Sequence, residues 1–217
     1  MDLWRPFLLV TTTLDGDVLQ ALAMSRDEVT VGQIQRAIGR GSLPGLRKVL
    51  VRLVGQGLVE SERVANTVVF SLREEHLAAP LIRGLASLPN QIIHLTEQTL
   101  AAWEVQPLFG CILHNRARWA QAITLLLISP DLATTDLSAI GARELWLRQC
   151  KELARDLSDW TGSTIIIDDK DLPGLLQQIK EVKQNGQQMS GAVAGGDVVC
   201  GSRDFIDLVR MGRITPG

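Results

Sequence analysis

Apolar residues recur at helical spacing in three segments near the start of the chain. The first segment follows Thr13, the second follows Thr30 as N-cap and stops at Gly39, and the third follows Ser42 as N-cap with Pro44 in its first turn. The third predicted helix carries an apolar stripe formed by Leu46, Val49, Leu50 and Leu53. This stripe turns the other side chains of the helix away from the core, among them Arg47, Lys48, Val51 and Arg52.

A β-hairpin is predicted directly after the third helix. Residues 58–63 and 67–72 are β-branched or alternating runs, and the short loop 64–66 joins them. The order helix, helix, turn, helix, hairpin is that of a winged helix-turn-helix, and residues 49–59 resemble the junction of recognition helix and wing in bacterial winged-helix regulators. The resemblance implies that the third helix enters the major groove of double-stranded DNA.

The distribution of charge favours a polyanionic partner for this part of the chain. The net charge of the whole chain is only −2, but eight basic and four acidic residues lie between Arg26 and Arg73. Taken alone, this local excess is equally typical of a solvated helical face.

We expect the DNA contacts to come from Arg47, Lys48 and Arg52, with Ser42 and Arg63 as weaker candidates. Winged helices also bind proteins, so a protein partner stays an alternative.

Two further helices are predicted over residues 74–86 and 89–105. Their apolar positions are Leu77, Leu81, Ile82 and Leu85 in the first, and Ile92, Ile93, Leu95, Leu100 and Trp103 in the second. Helices at this place in winged-helix regulators pair across a two-fold axis. The resemblance therefore implies a homodimer that binds two half-sites about one turn of DNA apart.

Strands and helices alternate from residue 106 onwards. Strands are predicted at 107–113, 122–128, 164–167 and 198–201, and helices at 136–160, 172–183 and 202–211. The predicted fold class is α+β, with a small mixed sheet in this last part. We divide the chain into a winged helix-turn-helix domain (1–73), a helical connector (74–105) and a C-terminal α/β domain (106–217).

A second resemblance begins at residues 108–111, Leu-Phe-Gly-Cys. They resemble the Leu-Phe-Gly-Ser of the minimal nucleotidyltransferase family, and residues 160–162 and 196–201 also look like family segments. In that family the Gly-Ser pair binds nucleotide phosphate, and two Asp on the next strand hold divalent metals. Here Gly110 is followed by Cys111, and Ala122 and Thr124 stand at the Asp positions. Neither side chain can hold Mg²⁺, so we expect no such catalysis, no cofactor and no metal.

The resemblance extends to segments outside this domain. Residues 14–19 and 75–80 look like parts of bacterial, notably actinobacterial, proteins that fuse a winged helix to a nucleotidyltransferase domain. It implies a DNA-binding transcriptional regulator whose inactive nucleotidyltransferase-like domain supplies dimerisation, partner docking or ligand sensing. The alternative is a nucleotidyltransferase with a rearranged metal site, centred on Asp168 or Asp169, that modifies a protein or small molecule.

Other chemistry-bearing residues give weaker signals. The acidic run Asp168, Asp169 and Asp171 is interpreted as a solvated strand-to-helix turn in which Asp171 caps the helix, with a metal site as the alternative. The three cysteines are predicted to be buried thiols, and the three histidines lack metal-ligand spacing. A polar loop could sense phosphate or simply be exposed; it contains His114, Asn115, Arg116 and Arg118. Residues 191–196 are interpreted as a flexible Gly-rich connection.

Membrane and export signals are weak in this sequence. No apolar run approaches the roughly 18 residues of a membrane span, and the apolar stretch at 7–10 is too short for a signal peptide. We therefore expect a cytoplasmic protein without a membrane partner.

Overall fold

The computed structural model describes residues 2–113, 122–130, 132, 137–177 and 196–211. It is a mixed α+β structure with two small sheets, and it separates into two compact units, Met1–Asn90 and Gln91–Gly217. The boundary between the units lies inside the stretch 74–105 that the sequence predicts as a connector.

The first unit contains four α-helices and a three-stranded sheet. After a short 3-10 helix, η1 (Pro6–Leu9), the elements are α1 (Leu14–Met24), β1 (Val29–Thr30), α2 (Val31–Ile38), α3 (Leu43–Gly55), β2 (Val59–Val64), β3 (Thr67–Leu72) and α4 (Ala79–Ala86). The strand order is β1-β3-β2 and both pairings are antiparallel. The three predicted helices and the hairpin are confirmed.

Local hydrogen bonds define the ends of α2 and α3 as the sequence predicts. The Thr30 Oγ1 accepts from the Gln33 N–H at 3.2 Å, and the Gln33 Oε1 accepts from the Thr30 N–H at 2.7 Å, which forms a capping box. Gly39 ends α2 with a φ of 67°, in the left-handed region that glycine adopts without steric cost. The Ser42 Oγ accepts from the Gly45 N–H at 3.2 Å at the start of α3.

The core of the first unit lies between the helices and one face of the sheet. Three residues of the predicted stripe of α3, Leu46, Leu50 and Leu53, are buried, and Val49 is partly buried. They pack with buried residues of α1, α2 and the hairpin: Val18, Leu22, Ile34, Val59, Phe70 and Leu72. Because these contacts join α3 to α1, α2 and the hairpin, the position of α3 is determined by several elements of the unit at once.

The predicted helix over 74–86 is shorter in the structure. Helix α4 begins at Ala79 because Pro80 lacks an N–H and is tolerated only in the first turn of a helix. Residues 74–78 are not helical, and the Ala78 N–H donates to the His76 Nδ1 at 3.1 Å. The prediction that Leu77 and Leu81 belong to a buried stripe is therefore wrong, since they are 92% and 74% exposed.

The second unit is built on a four-stranded mixed sheet. Its elements are α5 (Leu88–Ala101), which begins just before the boundary, β4 (Phe109–Leu113), β5 (Ala122–Ile128), α6 (Leu137–Thr161), β6 (Thr164–Lys170), α7 (172–177 as described), β7 (Asp197–Cys200) and α8 (Phe205–Arg210). The strand order is β6-β5-β4-β7. Strands β5 and β6 are parallel, and the other pairs are antiparallel.

Several bounds in the second unit differ from the sequence prediction. Strand β6 continues to Lys170, so Asp168 and Asp169 belong to the strand and not to the turn after it. Helix α5 ends at Ala101, and α8 begins at Phe205 because residues 202–204 form the turn before it. On α6, Leu147 is 41% exposed, whereas its neighbour Trp146 is buried, as are Leu153 and Leu157. The part of the predicted helix 172–183 after residue 177 lies outside the described residues.

Candidate nucleic-acid interface

The outward face of α3 is basic and exposed. Because Leu46, Leu50 and Leu53 face the core, residues about half a turn away face solvent, and Arg47, Lys48 and Val51 are all exposed. Helix α3 contains no acidic residue. Neither Arg47 nor Lys48 forms an ion pair with any residue that the structure describes. Two of the predicted DNA-contacting residues therefore present uncompensated charge on one helix face.

Arg52 lies on the flank of α3 nearest α1. Its guanidinium forms an ion pair with the carboxylate of Asp15, whose side chain is only 24% exposed. The next acidic residue of α1, Asp17, pairs with Arg5 at 3.0 Å and also binds Arg40. The sequence prediction that Arg52 is available to DNA is thus modified, because Arg52 already links α3 to α1.

A groove of about 620 Å³ lies beside Arg47, between α3, the start of α2 and the hairpin. Residues from three elements line it, including Thr30, Arg47, Val51, Val54, Ser61 and Val68. Ser61 lies opposite Phe70 and Arg63 lies opposite Val68 in the hairpin. Since directly opposed residues share a face of an antiparallel pair, Arg63 lies on the sheet face that borders the groove.

The other face of the hairpin is acidic. Glu60 lies opposite Ser71 and Glu62 opposite Val69, one residue out of phase with Arg63, so they lie on the opposite face of the sheet. A second cavity of about 650 Å³ borders this face, and most of its charged residues are acidic: Asp27, Glu28, Glu60, Glu74 and Glu75, with Arg26 and Arg83. Basic and acidic side chains are thus separated across the hairpin.

Two ion pairs neutralise part of the acidic face. Arg73 Nε donates to Glu60 Oε1 at 2.9 Å, and Arg83 binds Glu74. The hydrogen bonds from Arg83 hold the pKa of Glu74 below its ordinary value. A phosphate backbone approaching this face would meet net negative charge, which leaves the α3 side as the electrostatically favoured side of the unit.

Ser42 has a structural role at the start of α3. Its side chain caps the helix through the bond to Gly45 N–H, and the residue is exposed at the end of the helix that precedes Arg47. The capping bond leaves the hydroxyl hydrogen available for a second partner.

The residues of the degenerate nucleotidyltransferase motif do not form a common site in the structure. Gly110 and Cys111 lie inside β4 and are buried, and a Cβ at Gly110 would come within 3.1 Å of Leu127 and 3.2 Å of Val199. Thr124 lies opposite Leu113, and Gly110 lies opposite Leu127. At about 3.4 Å per residue, Gly110 and Thr124 are separated by about 10 Å along the strands, and Ala122 lies still farther away.

The thiols of this unit are poor nucleophiles. Burial raises the pKa of Cys111 to about 11 and that of Cys150 to about 12, and the nearby carboxylates of Asp197 and Asp169 act in the same direction. Burial also raises the pKa of Cys200, but this residue is partly exposed, so the prediction of three fully buried thiols is wrong for Cys200. Its Sγ donates to the carbonyl of Pro107 at 3.4 Å.

The three acidic residues Asp168, Asp169 and Asp171 have different structural roles. Asp169 accepts from Trp146 Nε1 at 2.9 Å and from Arg143 Nη2 at 3.1 Å, and Asp168 binds Lys170. Successive strand residues point to opposite faces, so Asp168 and Asp169 cannot jointly hold a metal ion. Asp171 Oδ1 accepts from the Gly174 N–H at 2.7 Å, which confirms the predicted helix cap.

Neither a metal-ligand cluster nor a membrane-spanning helix occurs in the described part of the chain. Within those residues, no group of three or more His, Cys, Asp or Glu is arranged to hold a metal ion. Nor does any described helix combine the length and apolar character needed to cross a bilayer. The polar loop with His114, Asn115, Arg116 and Arg118, interpreted as either exposed or phosphate-sensing, lies outside the described residues, as does 191–195 of the Gly-rich segment.

Comparison with known proteins adds no assignment. Searches against protein-family models, curated proteins and solved structures find no match to this chain. We therefore infer the function of the protein from the geometry of the α3 face.

The sequence interpretation missed two features of this face. It named Val51 among the side chains turned away from the core but gave no role to this residue, which is 70% exposed beside the basic residues. It also did not use the alternation of residues 60–63, Glu-Ser-Glu-Arg, which places the two acidic side chains on one face of a strand and Arg63 on the other.

Proposed function

We propose that the first unit is a winged helix-turn-helix, that it binds double-stranded DNA through α3, and that the protein is a cytoplasmic transcriptional regulator. The observation that carries the proposal is the separation of charge: Arg47 and Lys48 are exposed on a helix without acidic residues, Arg63 lies on the hairpin face that borders the adjoining groove, and Glu60 and Glu62 lie on the opposite face of the hairpin.

Phosphate contacts supply most of the affinity in this proposal. Arg47 and Lys48 are adjacent on α3, Arg47 lines the groove, and Arg63 lies on the hairpin face that borders the groove, so two elements of the proposed interface carry cations. Neutralising phosphates releases condensed counterions, so the affinity falls as salt concentration rises. Arg52 contributes less, because Asp15 already neutralises it.

The test is a titration of fluorescent duplex DNA with the full chain and with the double variant Arg47→Ala, Lys48→Ala. We expect the variant to bind at least about 10-fold more weakly, and the slope of log affinity against log salt to fall by about 2, since each lost phosphate contact lowers it by about 0.9. Fluorescence anisotropy at several salt concentrations measures both quantities.

The matched control is the double variant Arg148→Ala, Lys151→Ala. These two residues are exposed on α6 and form no ion pair with any described residue, so the same charge is removed from the other unit. The control is expected to bind as the unchanged chain does. Equal affinities of all three proteins for duplex DNA would refute the assignment of α3 as the DNA-binding helix.

For the second unit we propose a nucleotidyltransferase-like scaffold without catalysis. The proposal is supported by the burial of Gly110 and Cys111, by Ala122 and Thr124 at the positions of the family carboxylates, and by the structural bonds of Asp169. We expect no transfer of label when the chain is incubated with radiolabelled nucleoside triphosphates and Mg²⁺ or Mn²⁺. Transfer that Asp168→Asn abolishes would instead establish the alternative enzymatic function, because Asp168 is less engaged in the fold than Asp169.

The proposed regulator acts as a homodimer or with a protein partner. Leu81 on α4 and Leu77 in the turn before it are both exposed, and exposed large apolar side chains mark surfaces that bind another protein. The symmetry of a selected DNA site reports this oligomeric state, because a two-fold dimer requires two half-sites in inverted orientation.

A further inference from the structure

We infer that α3 reads guanine through Arg47 and Lys48 and the methyl group of thymine through Val51, so that the base pairs contacted by α3 are G·C pairs next to a T·A pair. The inference depends on the proposed DNA binding and names the sequence class that the same surface recognises.

The exposed residues of α3 contain few of the groups that read base edges. Bidentate recognition of adenine uses Asn or Gln, and recognition of cytosine uses Asp or Glu. None of these four residue types occurs in Leu43–Gly55. The groups that remain on the exposed face are guanidinium and ammonium groups, which pair with guanine O6 and N7, and apolar groups, which contact the thymine methyl.

The two cations differ from Arg52 in their availability. Arg47 and Lys48 have no ion-pair partner among the described residues, whereas Arg52 is bound to Asp15. A donor that must first leave an intramolecular carboxylate gains less from a base edge than one that is exposed. Guanine recognition is therefore assigned to Arg47 and Lys48.

Val51 lies between these cations on the same face of the helix. It follows Lys48 by three residues and Arg47 by four, so the three side chains are neighbours on the helix surface. Val51 is 70% exposed, and its β-branched side chain is held in one rotamer by the helical backbone. Val54 and Val68 line the groove beside it. The result is a rigid apolar contact at the centre of a basic face, which fits a methyl group flanked by hydrogen-bond acceptors.

The experiment is a selection of duplexes from a pool with about 20 random base pairs, long enough for two half-sites. Unchanged chain, Val51→Ala, Arg47→Ala and the control Val10→Ala are each used as the full chain. Val10 is a matched control because it is 71% exposed and follows η1, away from α3 in the sequence. We expect the unchanged chain and Val10→Ala to enrich one motif with adjacent G and T, and Arg47→Ala to lose selectivity at a G.

The methyl contact is then measured on the enriched duplex with each thymine replaced in turn by uracil. For the unchanged chain and Val10→Ala we expect about 4-fold weaker binding at one position of each half-site, the equivalent of one buried methyl group. For Val51→Ala we expect the two bases to bind equally at that position. Circular dichroism checks that the variants are folded, and alanine favours the helix at least as much as valine does.

The outcomes separate the two proposals. If the unchanged chain binds no duplex in the pool, the proposed function fails and this inference fails with it. If it enriches a motif but uracil binds as well as thymine throughout, or if Val51→Ala keeps the same preference for thymine, DNA binding stands and the reading of thymine by Val51 is wrong.

Discussion

At the scale of the residue, the candidate interface contains side chains that serve the fold and side chains that do not. Ser42 and Arg52 were both predicted to contact DNA, and both have intramolecular partners: Gly45 N–H for Ser42 and Asp15 for Arg52. Arg47 and Lys48 make no such contact with the described residues. Substitutions can therefore separate stability from binding, because they affect different residues of one helix.

Ser42 offers a test of this separation. Ser42→Ala removes the acceptor for the Gly45 N–H, and we expect the free energy of unfolding to fall by about 1 kcal/mol, the usual contribution of an N-cap. Ser42→Asp restores an acceptor and places a negative charge favourably at the helix N-terminus, so stability should be kept. The same charge would repel phosphates, and we expect Ser42→Asp to bind DNA more weakly than Ser42→Ala.

Urea unfolding followed by circular dichroism and anisotropy titration with duplex DNA measure the two properties. Thr30→Ala is the control for the stability measurement only, because it removes the cap of α2 without a change of charge but lies at a residue that lines the groove beside Arg47. An affinity that drops in Ser42→Ala and is retained in Ser42→Asp would contradict this assignment, because it would show that the cap at the start of α3, and not the charge placed there, determines binding.

At the scale of the element, the parts of the fold that could be predicted are those held by short-range interactions. The caps at Thr30 and Ser42 each join residues three positions apart, and the stripe of α3 repeats at helical spacing, so both are visible in the sequence. Burial depends instead on what packs against a helix. Periodicity alone therefore grouped Leu77 and Leu81 with Ile82 and Leu85, although the structure leaves both leucines exposed.

The candidate site likewise contains features that the sequence predicts and features that it does not. The exposure of Arg47 and Lys48 follows from the positions of the buried leucines on the same helix, and it could be predicted. The partner of Arg52 could not, because Asp15 lies on another helix and only the packing of α1 on α3 brings the two together. The register that places Arg63 on the groove face follows from the two-residue loop at Ala65, where φ is 52°.

At the scale of the whole molecule, the structure extends the first unit beyond the predicted boundary at residue 73. Helix α4 packs against α1 and η1, and the buried residues Phe7, Ala23 and Ala86 form a small cluster with Ile82 and Leu85 at its edge. Arg83 Nη1 also donates to the carbonyl of Ala23 at 2.7 Å. The hairpin and α3 complete the larger core on the other side of α1. Apolar side chains therefore pack against α1 on two sides. The hairpin and α3 lie within residues 1–73, whereas α4 lies outside them.

This arrangement predicts different stabilities for two fragments. We expect residues 1–90 to unfold in a single cooperative transition, because both apolar clusters of the unit are complete in that fragment. A fragment of residues 1–73 lacks α4 and exposes Phe7 and Ala23, so we expect it to be less stable by at least about 2 kcal/mol, the contribution of one or two buried apolar side chains. Urea unfolding followed by circular dichroism measures the difference.

Within residues 1–90, Ile82→Ala should lower stability toward that of the shorter fragment, whereas Leu81→Ala, on the exposed side of α4, should not. Equal stability of the two fragments would show that α4 adds nothing to the first unit and that the boundary lies at residue 73 after all.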